Sequence, residues 1–200
     1  IIDAISKKVR CATILSGGFS ESGSEGNDLE KQVFKIAKKG DLRILGPNSI
    51  GLINISDNFI LSANAMLELQ DLKKGSLGLI SHSGSLIGAL LAHGHSRGIG
   101  FSKLVSVGNE SDLSVGEIGK MLVNDPNTES IILFLETLRN SNVVAEMSRM
   151  AHAAGKQIIC YKLGKSELSK ELAKSHTGAI AGNDDAFNAF INYHGIARVE

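Results

Sequence analysis

The sequence has no surplus of either charge: Lys and Arg number 21, and so do Asp and Glu. The balance leaves no net positive charge to draw the chain to nucleic acid or to an anionic membrane, so neither is expected as a partner. Cysteine is scarce. Cys11 and Cys160 stand far apart, without metal-ligand spacing, in apolar runs that read as buried strands. They are expected to be reduced core residues of a cytoplasmic protein. No apolar run reaches the roughly 18 residues that span a bilayer, and no secretory leader is expected. A complete GxGxxG fingerprint and a Walker-type loop are missing, as are internal repeats and low-complexity tracts. The histidines outside residue 176 (82, 93, 95, 152 and 194) form no metal-ligand constellation, so no metal site is expected in this chain. The sequence opens on Ile1-Ile2-Asp3-Ala4, in a helix-like stretch without an initiator methionine, and is expected to be a piece of something longer.

What is present suits a folded α/β chain. Hydrophobic residues make up 42% and charged residues 21%, enough to bury a core in one large or two small domains. Short apolar runs alternate with amphipathic stretches, the pattern of βαβ units and a parallel sheet. Strands are predicted at 11–15, 42–45, 77–81, 102–107, 131–135, 157–163 and 196–199. Helices are predicted at 27–39, 84–96, 114–124, 142–154 and 183–194, with Asn27 and Ser114 as N-caps and Gly40 and Gly155 as C-terminal stops. The polar stretch 67–75 breaks the alternation and reads as a linker. It divides the tail of one α/β domain, 1–66, in which 59–63 adds an edge strand, from a complete five-stranded doubly wound domain, 76–200.

Ligands of open parallel sheets bind beyond the carboxyl ends of the strands. Five segments belong to that edge or to a turn near it. Lys174-Ser175-His176-Thr177-Gly178 sets an imidazole in a glycine-rich turn, where it is either a nucleophile toward phosphorus or a loop histidine bonded to its own turn. Ser83, Gly84 and Ser85 follow a strand and open a helix, which makes them a phosphate site or an ordinary N-cap. Glu136 closes a strand, where it orients His176 or has a capping or salt-bridge role, with Arg139 as the candidate partner. In Gly108-Asn109-Glu110-Ser111-Asp112, capping of the next helix by Asp112 is the cheaper reading, against metal or phosphate contact. Pro47, Asn48 and Ser49 lie in a glycine-flanked turn that is structural or lets backbone approach a ligand.

These segments, with Leu15-Ser16-Gly17-Gly18-Phe19, Arg97-Gly98-Ile99-Gly100-Phe101, Asp125-Pro126-Asn127-Thr128 and Ser175-His176-Thr177-Gly178-Ala179, resemble the NDP-forming acyl-CoA synthetase family, related to the α subunit of succinyl-CoA synthetase. The resemblance implies the C-terminal part of a Rossmann-like CoA-binding domain followed by a flavodoxin-like doubly wound parallel-sheet domain. It implies an acid–thiol ligase that makes acyl-CoA from a carboxylate, CoA and ATP, releasing ADP and phosphate through a phosphohistidine and an acyl phosphate. His176 falls at the phosphohistidine and Glu136 at the carboxylate that orients it. Ser83, Gly84 and Ser85 fall at the phosphate-binding helix start, and Pro47, Asn48 and Ser49 near the CoA thiol. Residues 108–112 and 136–140 look like the ADP-forming acetyl/acyl-CoA branch, while Ser49 stands where the succinate branch usually carries cysteine.

The same resemblance implies a small carboxylic acid as substrate and an ATP-grasp domain or subunit as partner. That partner, with ATP and Mg, and the first half of the CoA-binding domain lie outside this chain. Homo-oligomerisation stays open. The rival reading is a non-catalytic CoA- or nucleotide-sensing module of a fused regulatory protein, such as a protein acetyltransferase. The retained His176 and Glu136 argue against it.

Overall fold

The computed structural model describes residues 1–64, 72–163 and 184–199. A short helix α1 (Ile2–Ser6) leads to β1 (Cys11–Thr13), a single 3-10 turn (Ser20–Ser22), α2 (Ser24–Lys39) and β2 (Arg43–Leu45). β1 and β2 pair in parallel across α2, Ala12 opposite Ile44. A hairpin follows, β3 (Gly51–Asn54) and β4 (Phe59–Ser62). Then come β5 (Lys74–Ser81), α3 (Gly84–Ser96), β6 (Phe101–Ser106), α4 (Val115–Asn124), β7 (Ser130–Leu135), α5 (Ser141–Ala153), β8 (Gln157–Lys162), α6 (Asp184–Tyr193) and β9 (Ala197–Val199).

The large sheet runs β4-β3-β6-β5-β7-β8-β9. Its last five members are parallel, and β3 lies antiparallel to both β4 and β6. Numbered within the parallel part, the order is 2-1-3-4-5, the flavodoxin-like arrangement, with its switch point beside the first strand, β5. Alternation along β5 feeds two cores. Leu79 packs with Ile87 and Leu91 of α3 and Leu104 of β6. Ile80 packs with Ile118 and Leu122 of α4, Val144 and Met147 of α5, and Leu133 of β7. Helices therefore cover both faces, and the polar work is left to the strand ends.

Each predicted strand is present within a few residues of its expected bounds, and the helices agree well for α3 to α6. Other expectations need correction. The segment 51–54, for which no element was predicted, is a strand that follows directly on the Pro47–Ser49 turn. Gly51 has φ +91°, and a Cβ there would meet the Leu61 carbonyl oxygen at 1.9 Å, so glycine is what lets the hairpin close. The edge strand at 59–62 does form, but it belongs to the large sheet through β3 rather than to the first unit. Pairing thus runs across the proposed linker. α2 begins at Ser24, with Gly23 at its N-cap, so Asn27 is inside the helix. Cys160 is buried, and burial pushes its thiol up to about 12, whereas Cys11 is exposed on β1 and is not a core residue. Among the described residues, no helix is long and apolar enough to cross a membrane, and no group of three His, Cys, Asp or Glu is placed to hold a metal ion.

Candidate functional site

The carboxyl ends of β5, β6 and β7 open on a cleft of about 250 Å³. After β5 it is lined by His82 and residues 83–85, after β6 by Gly108 and Asn109, and after β7 by Glu136, Thr137 and Arg139. The turn before β3 adds Asn48, Ser49 and Ile50. With Leu15, five segments separated by up to 124 positions in the sequence (Leu15 to Arg139) thus meet at the topological switch point, where an open parallel sheet leaves a crevice.

The helix starts after β5 and β6 differ in a way that matters. At α4, Ser114 forms a full capping box: its hydroxyl accepts from the Glu117 N–H, and Glu117 accepts from the Ser114 N–H. At α3 the N-cap Ser83 makes no side-chain capping bond. Its hydroxyl lies 3.2 Å from that of Ser85, while Ser81 donates to the Ser83 carbonyl at 2.7 Å. The ordinary-cap reading of Ser83 therefore fails. The amino end of a 13-residue helix faces the cleft with two serine hydroxyls beside it, and its dipole favours an anion there.

Glu136 follows the last residue of β7 and is 4% exposed, as a carboxylate closing an apolar strand should be. Its expected alternative partner, Arg139, is engaged elsewhere: Nη1 donates to the Asn109 carbonyl at 2.6 Å. Asp112 is likewise not a helix cap. It pairs with Arg43 at 3.0 Å and accepts from the Ile44 N–H at 2.7 Å, and Ser114 does the capping.

The turn before β3 is held from several sides. The Pro47 carbonyl accepts from the Asn109 N–H at 2.9 Å. Ser49 is buried, donates to the Ser106 carbonyl at 2.7 Å and accepts from the Gly51 N–H at 2.9 Å. Its hydroxyl is thus committed to the turn, although the residue lines the cleft. Asn48 holds a positive φ of 55°, as does Glu110 at 58°, uncommon conformations for residues bearing a Cβ. At Gly108, φ is +55° and a Cβ would lie 2.0 Å from the Pro47 oxygen, so only glycine lets these two loops touch.

Beneath the cleft, Asn109 is the hub of a polar network. Its amide donates to Glu21 at 2.5 Å, Glu30 at 2.9 Å and Ser20 at 3.1 Å. Burial pushes the Glu30 carboxyl up, but hydrogen bonds from Ser111, Asn109 and Ser20 outweigh it and hold it below the usual carboxylate range. Glu21 is held low in the same way by Asn109 and nearby backbone N–H groups. Sequence reasoning had the loop 108–112 but not this role for Asn109. It also passed over His82, whose only signal is its place inside the Ser81-His82-Ser83-Gly84-Ser85 run. His176, the expected nucleophile, lies outside the described residues.

A family model described as the succinyl-CoA ligase like flavodoxin domain matches residues 74–200. The chain is 35% identical over 96% of its length to acetate–CoA ligase (ADP-forming) II of Archaeoglobus fulgidus, of which it covers 28%. It is also 35% identical over 96% of its length to acetate–CoA ligase (ADP-forming) I subunit alpha of Pyrococcus furiosus, covering 40% of that chain. A solved structure, the dinucleotide forming acetyl-coenzyme A synthetase 1 of Ca. Korarchaeum cryptofilum in complex with phosphate and ADP, superposes with a TM-score of 0.90 at 30% identity. That match covers all of this chain and 42% of the other. The chain thus spans well under half the length of these relatives.

Proposed function

We propose a function from the premise that the chain belongs to the family of the succinyl-CoA ligase like flavodoxin domain. The proposed activity is acid–thiol ligation: a carboxylate, CoA and ATP give acyl-CoA, ADP and phosphate. The observation that carries it is the cleft itself. An amino-terminal helix end without a side-chain cap, a buried Glu136 and three strand-end loops converge there.

In this reading His176 is the nucleophile. A neutral ring nitrogen accepts the terminal phosphoryl group as its bond to ADP breaks, and Glu136 accepts a hydrogen bond from the other ring nitrogen, steadying the cationic ring. The N-terminus of α3, with Ser83, Gly84 and Ser85, holds the phosphoryl oxygens. A carboxylate oxygen of the acid then attacks phosphorus and frees the imidazole, leaving an acyl phosphate. Attack by the CoA thiol on its carbonyl carbon releases phosphate and forms the thioester. Asn48 and Ser49 border the place where that thiol would arrive, with Pro47 setting the turn behind them.

Size supports a division of labour. About 250 Å³ holds a phosphoryl group and a small acyl group, and lies below the range of pockets that enclose a drug-sized ligand. The bulk of CoA and of ATP with Mg would be bound by other parts: the remainder of a CoA-binding domain, whose tail is 1–66, and an ATP-grasp domain or subunit. The linker expected at 67–75 gives up its last two residues to β5, so the phosphohistidine-bearing domain would begin at Lys74. The relative named as an alpha subunit supports such a partition. Resemblance in the 108–112 and 136–140 loops favours a monocarboxylate, acetate being the first to test.

The test supplies the full-length protein with ATP, Mg, CoA and acetate, followed by a panel of other monocarboxylates. Acyl-CoA, ADP and phosphate are expected in equal amounts, with at least about a thousandfold loss in His176→Asn. Formation of AMP and pyrophosphate, or full activity of the variant, would overturn the reading.

A further inference from the structure

His82 bridges all three strand-end loops of the cleft. Its backbone N–H donates to the Phe134 carbonyl at 3.2 Å. Its side chain is 6% exposed, with Nδ1 3.1 Å from the backbone N–H of Glu136 and Nε2 3.2 Å from Glu110 Oε2. Glu110 in turn has no exposed side-chain surface, and its other oxygen accepts from the Val115 N–H at 2.8 Å, at the first residue of α4. A backbone N–H can only donate, so Nδ1 must be the acceptor, and the ring's proton belongs on Nε2, which donates a hydrogen bond to Glu110 Oε2. The chain of bonds fixes one tautomer and one ring orientation.

We propose that His82, held by Glu110, is the positioning residue for Glu136: it anchors the backbone from which the Glu136 carboxylate reaches into the cleft. The inference rests on the proposed role of Glu136 but concerns a different group. His82 touches no reacting atom. It ties the loop after β7 to the loops after β5 and β6, at the one residue of the β7 loop where a small backbone shift would displace the carboxylate. A displacement of that kind costs rate more than binding, because the affected hydrogen bond strengthens as the ring becomes cationic. Glutamine can reproduce both bonds, its amide oxygen accepting from Glu136 and its NH₂ donating to Glu110, whereas leucine can make neither.

The test uses the full-length protein and three variants, His82→Gln, His82→Leu and Glu110→Ala. His82→Leu and Glu110→Ala are expected to lower kcat for acyl-CoA formation about 10- to 100-fold with KM for each substrate changed little, the range found when a partner behind a reacting group is removed. His82→Gln is expected to stay within a few-fold of the parent. Nitrogen-15 NMR of the imidazole is expected to show Nε2 protonated and Nδ1 bare, a signature that does not depend on turnover. A proton on Nδ1, or His82→Gln as impaired as His82→Leu, would overturn the proposal. So would an unchanged kcat in His82→Leu. Loss of the ligase reading would show separately, as activity surviving in His176→Asn while the His82 tautomer stays as assigned.

Discussion

At the scale of single residues, two serines at helix starts have been given different work. Ser114 spends its hydroxyl on the helix, accepting from Glu117 N–H at 3.2 Å, and Ser83 does not. Replacing Ser114 with Ala should therefore lower the unfolding free energy by about 1 kcal/mol. Ser83→Ala should cost less than half of that in the same urea titration. The order reverses for activity: Ser83→Ala should slow acyl-CoA formation by about tenfold, the loss of a hydrogen bond to a charged group, while Ser114→Ala leaves it near the parent value. Equal stability losses in the two variants would show that Ser83 is a structural cap after all.

At the scale of elements, legibility followed the range of the interactions that decide each one. Runs such as Ile131-Ile132-Leu133-Phe134-Leu135 announce a buried strand by themselves. β3 did not, because it has four residues, begins with glycine and is made a strand by partners that lie far along the chain, Leu52 pairing with Val105. The same non-local pairing moved β4 out of the first unit. Cys11 read as core from its apolar neighbours, but β1 has a partner only in β2 among the described strands, and its first residue is exposed. In the site, the placement of Glu136 and residues 83–85 at the cleft was readable because each lies just beyond an apolar strand, while their roles belong to the proposal. The pairing of His82 with Glu110 was not readable. It depends on β6 lying beside β5, a feature of strand order that no local pattern carries.

At the scale of the whole molecule, ionic and polar contacts tie the first part of the chain to the large sheet. Glu21 and Glu30 meet Asn109 and Ser111, and Arg43 meets Asp112 and Glu117. Burial pushes the Glu117 carboxyl up, but the Ser114 N–H and Arg43 bring it below the usual range, as Glu21 and Glu30 are brought by their donors. A carboxyl whose folded pKa is depressed gives up its proton more readily in the folded state, so its stabilisation is complete above the unfolded value near 4.5. It is lost as pH falls from there through the lower folded values. Melting temperature should therefore be flat from neutrality down to about pH 5 and fall steeply below it. Separation of the two parts beginning above pH 6 would contradict this account of what joins them.

The cleft brings a helix end, a carboxylate and three loops together for one purpose in this account, to receive a phosphoryl group on His176. The most direct measurement is labelling of the full-length protein with γ-labelled ATP and Mg. The parent should acquire acid-labile, base-stable phosphate, Glu136→Gln should acquire it roughly a hundredfold more slowly, and His176→Asn should acquire none. Equal labelling of His176→Asn and the parent would contradict the claim on which the rest depends.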